Sequence, residues 1–137
     1  MSFITWHVGM SVGQKQFDDD HQKLLGLVND LFDAITEGRG KEALSPILSD
    51  LVKYTEEHFR REEQFLLHRG FPGLRDHHLA HAEFAQKVRA MREQWSVNRD
   101  TVLMYSVLTE MRSWLTEHIM KEDKEYAAFM SRGANRH

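Results

Sequence analysis

A chain of 137 residues with 41% hydrophobic and 28% charged side chains has the composition of one soluble globular domain, not of a disordered or fibrous chain. The 18 Lys and Arg against 21 Asp and Glu leave a formal charge of -3, which excludes a strongly basic nucleic-acid binder or polybasic membrane anchor. The complete lack of Cys excludes thiolate catalysis, CxxC redox chemistry, iron–sulfur clusters and Cys-type zinc fingers, and it fits a cytoplasmic location.

Residues 1–17 read as an irregular arm with Trp6 packed on the body. Met1–Met10 has no basic region followed by an apolar stretch, so no secretory signal is expected. Strand signals are missing, and the breakers (Gly38, Gly40, Gly70 to Gly73, Gly133) separate long segments of helical period. The first predicted helix covers about residues 18–37, with Asp18, Asp19 and Asp20 as its cap and His21, Leu25, Val28, Phe32 and Ile35 as its inner stripe. The second covers about 41–68, with Ser45-Pro46 as a candidate start and a stripe through Leu51, Tyr54, His58, Glu62 and Phe65. The third covers about 73–95 and carries His77, His81, Phe84, Val88, Met91 and Trp95 inward. The fourth covers about 99–121, starts at Arg99 or Asp100, carries Met104, Val107, Met111, Trp114 and His118 inward, and extends to about residue 131. Short connections between long helices make neighbours antiparallel, so the expected fold is all-α: a single up-down-up-down four-helix bundle over 1–137. The stripes leave no second apolar face, and no apolar run reaches the roughly 20 residues of a membrane span, so a monomer without membrane insertion is expected.

The inner stripes carry the chemistry. An unpaired imidazole or carboxylate costs several kcal/mol to bury, yet His21, His58, the His77/His81 pair and His118 place imidazoles on the apolar face of all four predicted helices. Metal ions are the natural compensation, and imidazole with carboxylate and no sulfur suits iron, manganese or zinc. His77 and His81, and likewise His58 and Glu62, are spaced to share a helix face. Residue 78 is His, so HHLAH is not a metalloprotease HExxH. On a regular helix Glu122 lies about 40° from His118 and Asp123 about 140° away, so spacing alone picks Glu122 as the acid of the last helix. His7, His68, His78 and His137 read as surface or arm residues, Glu56, Glu57, Arg60, Arg61 and Glu63 as a solvated face, and Met91, Met104, Met111 and Met120 as core fillers.

The segments Trp6 with Met10–Gly13, FDDDHQKLLGLVNDL (Phe17–Leu31), HFRREEQFL (His58–Leu66), GFPGLRDHHLAHAEF (Gly70–Phe84) and WLTEHIMKEDKEY (Trp114–Tyr126) resemble a hemerythrin of the single-domain bacterial kind. The ordered set H…HxxxE…HxxxH…HxxxxD is highly specific and spans nearly the whole chain. The resemblance implies a non-haem di-iron centre with an oxo or hydroxo bridge, and reversible O2 binding for storage, transport or delivery. It implies as metal ligands His21, His58, Glu62, His77, His81, His118 and Asp123. His77, His81 and His118 would hold one iron, His21 and His58 the other, with Glu62 and Asp123 shared and an open position at the second iron. It thus picks Asp123 over Glu122, which requires a local helix distortion. Phe59, Trp114, Leu115 and Ile119 would line or cover the O2 site, and Tyr126 matches a family position whose role stays open. An O2 or redox sensing module and a di-iron enzyme acting on peroxide or nitric oxide are the alternatives. A non-enzymatic carrier is expected, because no general acid–base pair stands outside the ligands.

Overall fold

A computed structural model describes residues 3–134, without the side chains of residues 122 and 132–134. His137 lies outside the described residues. A short 3-10 turn (Val8–Met10) is followed by α1 (Lys15–Thr36), α2 (Gly40–His68), α3 (Leu74–Val97), α4 (Thr101–Glu117), a π-helical turn (His118–Asp123) and α5 (Lys124–Ala134). Among the described residues there is no strand, and no helix is long and apolar enough to cross a membrane. The helices α1, α2, α3 and α4 form an antiparallel four-helix bundle, in which α1 packs on α2 and α4, and α3 on α2 and α4.

Two hairpin turns use the same device. α1 ends with Gly38 at φ 78°, its N–H bonded to the Ile35 carbonyl and that of Arg39 to Ala34. α2 ends with Gly70 at φ 68°, with Gly70 bonded to Leu67 and Phe71 to Leu66. This is the left-handed helix stop that glycine adopts without a Cβ clash. At Gly40 a Cβ would sit 2.6 Å from Met104 Sδ and 2.8 Å from Ile35 Cγ1, so glycine lets the start of α2 close against α1 and α4 without displacing either side chain.

Three local expectations are corrected. α1 starts at Lys15, not near residue 18, because winding Lys15 to Phe17 into the helix buries Phe17. The aspartates are therefore not its cap: Asp18 accepts from Ser11 Oγ and the Val12 N–H and pins the arm, while Asp20 is buried. α2 does not start at Ser45-Pro46 but runs through Pro46 from Gly40, because Leu44 extends the buried face of Ile47, Leu48 and Leu51 backwards. α4 is capped where expected, with Asp100 accepting from the Val102 N–H at 3.0 Å.

The core contains Leu24, Leu25, Val28, Leu48, Val88 and Met111, all nearly or fully buried. Phe32, partly buried on α1, is covered by Phe3 of the arm, with ring centroids 4.8 Å apart. Trp6 packs against the same core. Met91, Met104 and Met111 are core residues, but Met120 is 42% exposed, because it follows the inward-facing His118 by two residues and so points to the opposite side.

Candidate metal centre

All seven side chains singled out by the motif converge at one depth of the bundle. His21 comes from α1, His58 and Glu62 from α2, His77 and His81 from α3, and His118 and Asp123 from the two ends of the π turn. None is more than 4% exposed.

The carboxylates organise the imidazoles into two groups. Glu62 Oε1 is 2.5 Å from His77 Nε2 and 3.2 Å from His81 Nε2. Its Oε2 is 3.1 Å from His58 Nε2 and 3.6 Å from His21 Nε2. Asp123 divides in the same sense, with Oδ1 3.2 Å from His77 Nε2 and 3.0 Å from His118 Nε2, and Oδ2 3.0 Å from His21 Nε2. Each acid thus turns one oxygen to members of the group His77, His81 and His118, and the other to the group His21 and His58, where Glu62 meets both rings and Asp123 meets His21. Glu62, His77, His81, His118 and Asp123 could hold one ion, and His21, His58 and Glu62 another, the donor atoms within each set lying within 4.8 Å of one another.

The π turn explains why regular helical spacing does not place Asp123 beside His118. A π turn closes i→i+5 instead of i→i+4 hydrogen bonds and so takes one residue more than an α turn, which lets Asp123, five after His118, come onto the face of His118. This is the distortion that the choice of Asp123 requires.

The donors fit a metal. His21 Nε2, His58 Nε2 and both Asp123 oxygens are fully buried and make no hydrogen bond of good geometry. Buried polar atoms are almost always satisfied, and four orphans facing one point call for a cation. Without a metal the site holds protons instead. Burial pushes His21 down, but Asp123 and Glu62 outweigh it and hold the ring at about 10. His77 is likewise driven down by burial and lifted to about 10 by Asp123 and Glu62. Burial alone would raise the Glu62 carboxyl, but four surrounding imidazoles hold it well below its usual range.

The sign follows from these directions. An imidazole raised from 6.5 to about 10 stabilises the metal-free fold fully below pH 6.5, and that contribution is lost as the pH rises through 10. The melting temperature of the metal-free chain is therefore expected to fall between pH 6.5 and 10. Metal loading at pH 7 should release protons, because ligand imidazoles must be neutral. A pH-stat reading with no proton release on loading would overturn this charge assignment.

Several supporting groups were not legible as such. Asp20 accepts from His58 Nδ1 at 2.8 Å, from Tyr54 Oη at 2.8 Å and from Arg61 Nη2 at 3.0 Å. Burial opposes its ionisation, but these donors hold its carboxyl well below the usual range. Glu63, expected on the solvated face, accepts from His81 Nδ1 at 3.1 Å and from the exposed His78. Both contacts leave the Nε2 of the metal-facing ring turned to the centre, the tautomer a metal needs. The available signal was the adjacency of Asp20 to His21 and of Glu63 to Glu62, which puts each acid beside the ligand stripe. Asp20→Asn is expected to weaken metal affinity by about 10–100-fold with the helix content unchanged. Chelator competition checks it, and wild-type affinity would remove Asp20 from any positioning role. Tyr126, fully buried, donates to Glu62 Oε2 at 3.2 Å. Burial and then the Glu62 and Asp123 charges push its hydroxyl far up, so it stays a donor.

The expected pocket residues divide by position. Phe59 stacks on His81 with centroids 3.8 Å apart, and Trp114 stacks on His118 at 4.3 Å. Both rings therefore lie against the three-His group, and Phe59 also reaches His58 at 5.8 Å. Leu115 and Ile119 are buried in the same core cluster.

Fold and centre together define a helical-bundle protein with a histidine–carboxylate metal site. Residues 12–130 match the family described as the hemerythrin HHE cation binding domain, and the chain belongs to the hemerythrin family. It is 30% identical over 141 residues to a bacteriohemerythrin of Methylococcus capsulatus, covering 96% of this chain and 99% of that one. It is 26% identical to a bacteriohemerythrin of Stenotrophomonas maltophilia, over 93% of this chain and 81% of that one. A myohemerythrin of Riftia pachyptila is 28% identical, over 88% of each chain. The family implies a non-haem iron site, with which the His, Glu and Asp cluster is consistent.

Proposed function

We propose that the chain binds O2 reversibly at a pair of irons, as a storage or delivery protein of the cytoplasm and not as an enzyme. His77, His81 and His118 would hold one iron, His21 and His58 the other, and Glu62 and Asp123 would be shared between them. The observation that carries this reading is the division of oxygens: each carboxylate faces both imidazole groups. Counting donors, the protein offers three imidazoles and two carboxylate oxygens on one side, but two imidazoles and two oxygens on the other. The side with one donor fewer is where a small ligand enters.

When bound, the paired irons supply the electrons that hold O2 reversibly. The chain's own groups do the rest. Asp20 fixes the His58 ring, and Tyr126 fixes Glu62. Phe59, Trp114, Leu115 and Ile119 keep water from the centre, which slows side reactions. The Asp20, Tyr54 and Arg61 network closes the two-His end with charge already neutralised.

Anaerobic reduction of the iron-loaded chain followed by air tests the reading. The expected result is two irons per chain, one for each donor group, and a visible charge-transfer band that appears with O2 and vanishes on deoxygenation. Two irons without a reversible band would overturn O2 carriage in favour of sensing or of peroxide or nitric oxide chemistry. Fewer than two irons would overturn the ligand assignment.

A further inference from the structure

The seam between α2 and α3 carries a groove on the outside of the bundle that the metal centre does not account for. Its volume is about 700 Å³, within the roughly 300–1,000 Å³ usual for small-molecule sites. It follows α2 from Glu56 to Leu67, a run of about 16 Å at 1.5 Å per residue. Leu67 and Leu74 wall one end, and Ala82 and Ala85 line α3. Phe59 and His81 form the floor, with their rings parallel to within 4°.

The charges at the rim are unequal in what they leave open. Glu56 is engaged by Arg89, and Glu63 by His78 and His81. Arg60 and Arg75 also line the groove and have no ion-pair or hydrogen-bond partner among the described residues. An apolar trench with an aromatic floor, its acids already paired and two guanidiniums open, is complementary to a flat ring with an anionic tail.

We propose that this groove binds flavin mononucleotide, with the ring over Phe59 and between Leu67 and Leu74, and the phosphate on Arg60 and Arg75. The chemistry of the neighbouring site selects a flavin among planar anions. Each iron, when bound, would accept one electron, and a reduced flavin can release its two electrons singly, whereas a nicotinamide releases a hydride. A dihydroflavin in the groove sits one aromatic ring from His81. It gives up two electrons and two protons and leaves as oxidised flavin. Ferric ions held by the neighbouring cluster would supply the acceptors, one electron each, and the protons would pass to solvent at the open mouth. This redox role and the choice of a flavin among planar anions rest on the di-iron reading, whereas the shape and charge of the groove do not.

The test is a titration of oxidised flavin mononucleotide into the full iron-loaded chain, followed by flavin fluorescence. Saturable quenching is expected. The Arg60→Ala/Arg75→Ala double variant should bind about tenfold more weakly, and riboflavin, which lacks the phosphate, should bind the wild type equally weakly. Ala82→Trp, which fills the groove, should abolish quenching with iron content and helicity unchanged. Absence of saturable quenching overturns the proposal. So does unchanged affinity in the double variant, or equal affinity for riboflavin and flavin mononucleotide. Anaerobic mixing of dihydroflavin with the oxidised iron protein should then produce oxidised flavin, and none produced would overturn the redox role alone. The readouts do not use O2: flavin binding without a reversible O2 band would sink O2 carriage and keep the groove, and a reversible band without flavin binding would do the opposite.

Discussion

Glu62→Ala is expected to abolish iron retention and to leave the metal-free chain about 3–5 kcal/mol less stable, the range for removing one partner of a buried charge pair. Glu62 is fully buried and stands within 3.6 Å of four imidazoles, with Tyr126 as a fifth contact. Without it, Asp123 is, among the described side chains, the carboxylate left at the centre of the cluster to face imidazoles that burial pushes toward the neutral form. The loss of stability should be largest below pH 6.5, where His21 and His77 are charged in the wild type. Glu62→Gln separates charge from cavity: it keeps the volume, so it should lose iron as fully while losing less stability. Iron per chain and denaturant unfolding of the metal-free proteins check both variants. Full iron content in Glu62→Ala would remove Glu62 from the ligand set.

Asp123→Ala is expected to lose iron, and Glu122→Ala to keep it. The reason lies in the backbone. The π turn His118–Asp123 places Asp123 Oδ1 3.0 Å from His118 Nε2 and Oδ2 3.0 Å from His21 Nε2. No other acid of the described side chains reaches both imidazole groups except Glu62. Deleting Met120, which is 42% exposed, gives a sharper test. It removes one residue from the turn and converts five-residue spacing into the four-residue spacing of a regular helix, with Asp123 still on the face of His118 and α5 in register. The deletion variant should therefore keep iron that Asp123→Ala loses, as read by metal analysis. Iron kept in Asp123→Ala but lost in Glu122→Ala would reverse the assignment.

Much of the centre was legible because its residues break the rule of their surroundings. His21, His58, His77, His81 and His118 stand on stripes that are otherwise apolar, and burial of so many imidazoles needs a cation. Glu62 falls in step with His58. Asp123 did not follow from period, because a π turn leaves no signature in hydrophobic spacing; it followed from the ordered motif. Asp20 and Glu63 were hidden for another reason. Each lies off the ligand stripe of its own helix, and each is satisfied by a histidine on another helix, His58 for Asp20 and His81 for Glu63. A sequence shows which face a residue takes, not which neighbour meets it there.

By itself, then, the chain's sequence determined the helical class, the number of bundle helices, the glycine stops at the hairpins and the buried histidines with Glu62, because all of these depend on local period and on the cost of burying charge. Tertiary structure decided the rest. It set the start of α1, where burial of Phe17 draws Lys15 into the helix, and the passage of α2 through Pro46, where Leu44 packs. It divided the oxygens of Glu62 and Asp123 between two imidazole groups, and it turned Asp20 from an expected helix cap, and Glu63 from an expected surface acid, into supports for His58 and His81. Those outcomes depend on distances between helices, and the physical quantity that fixes them, close packing around a shared charge, exists only once four segments have met.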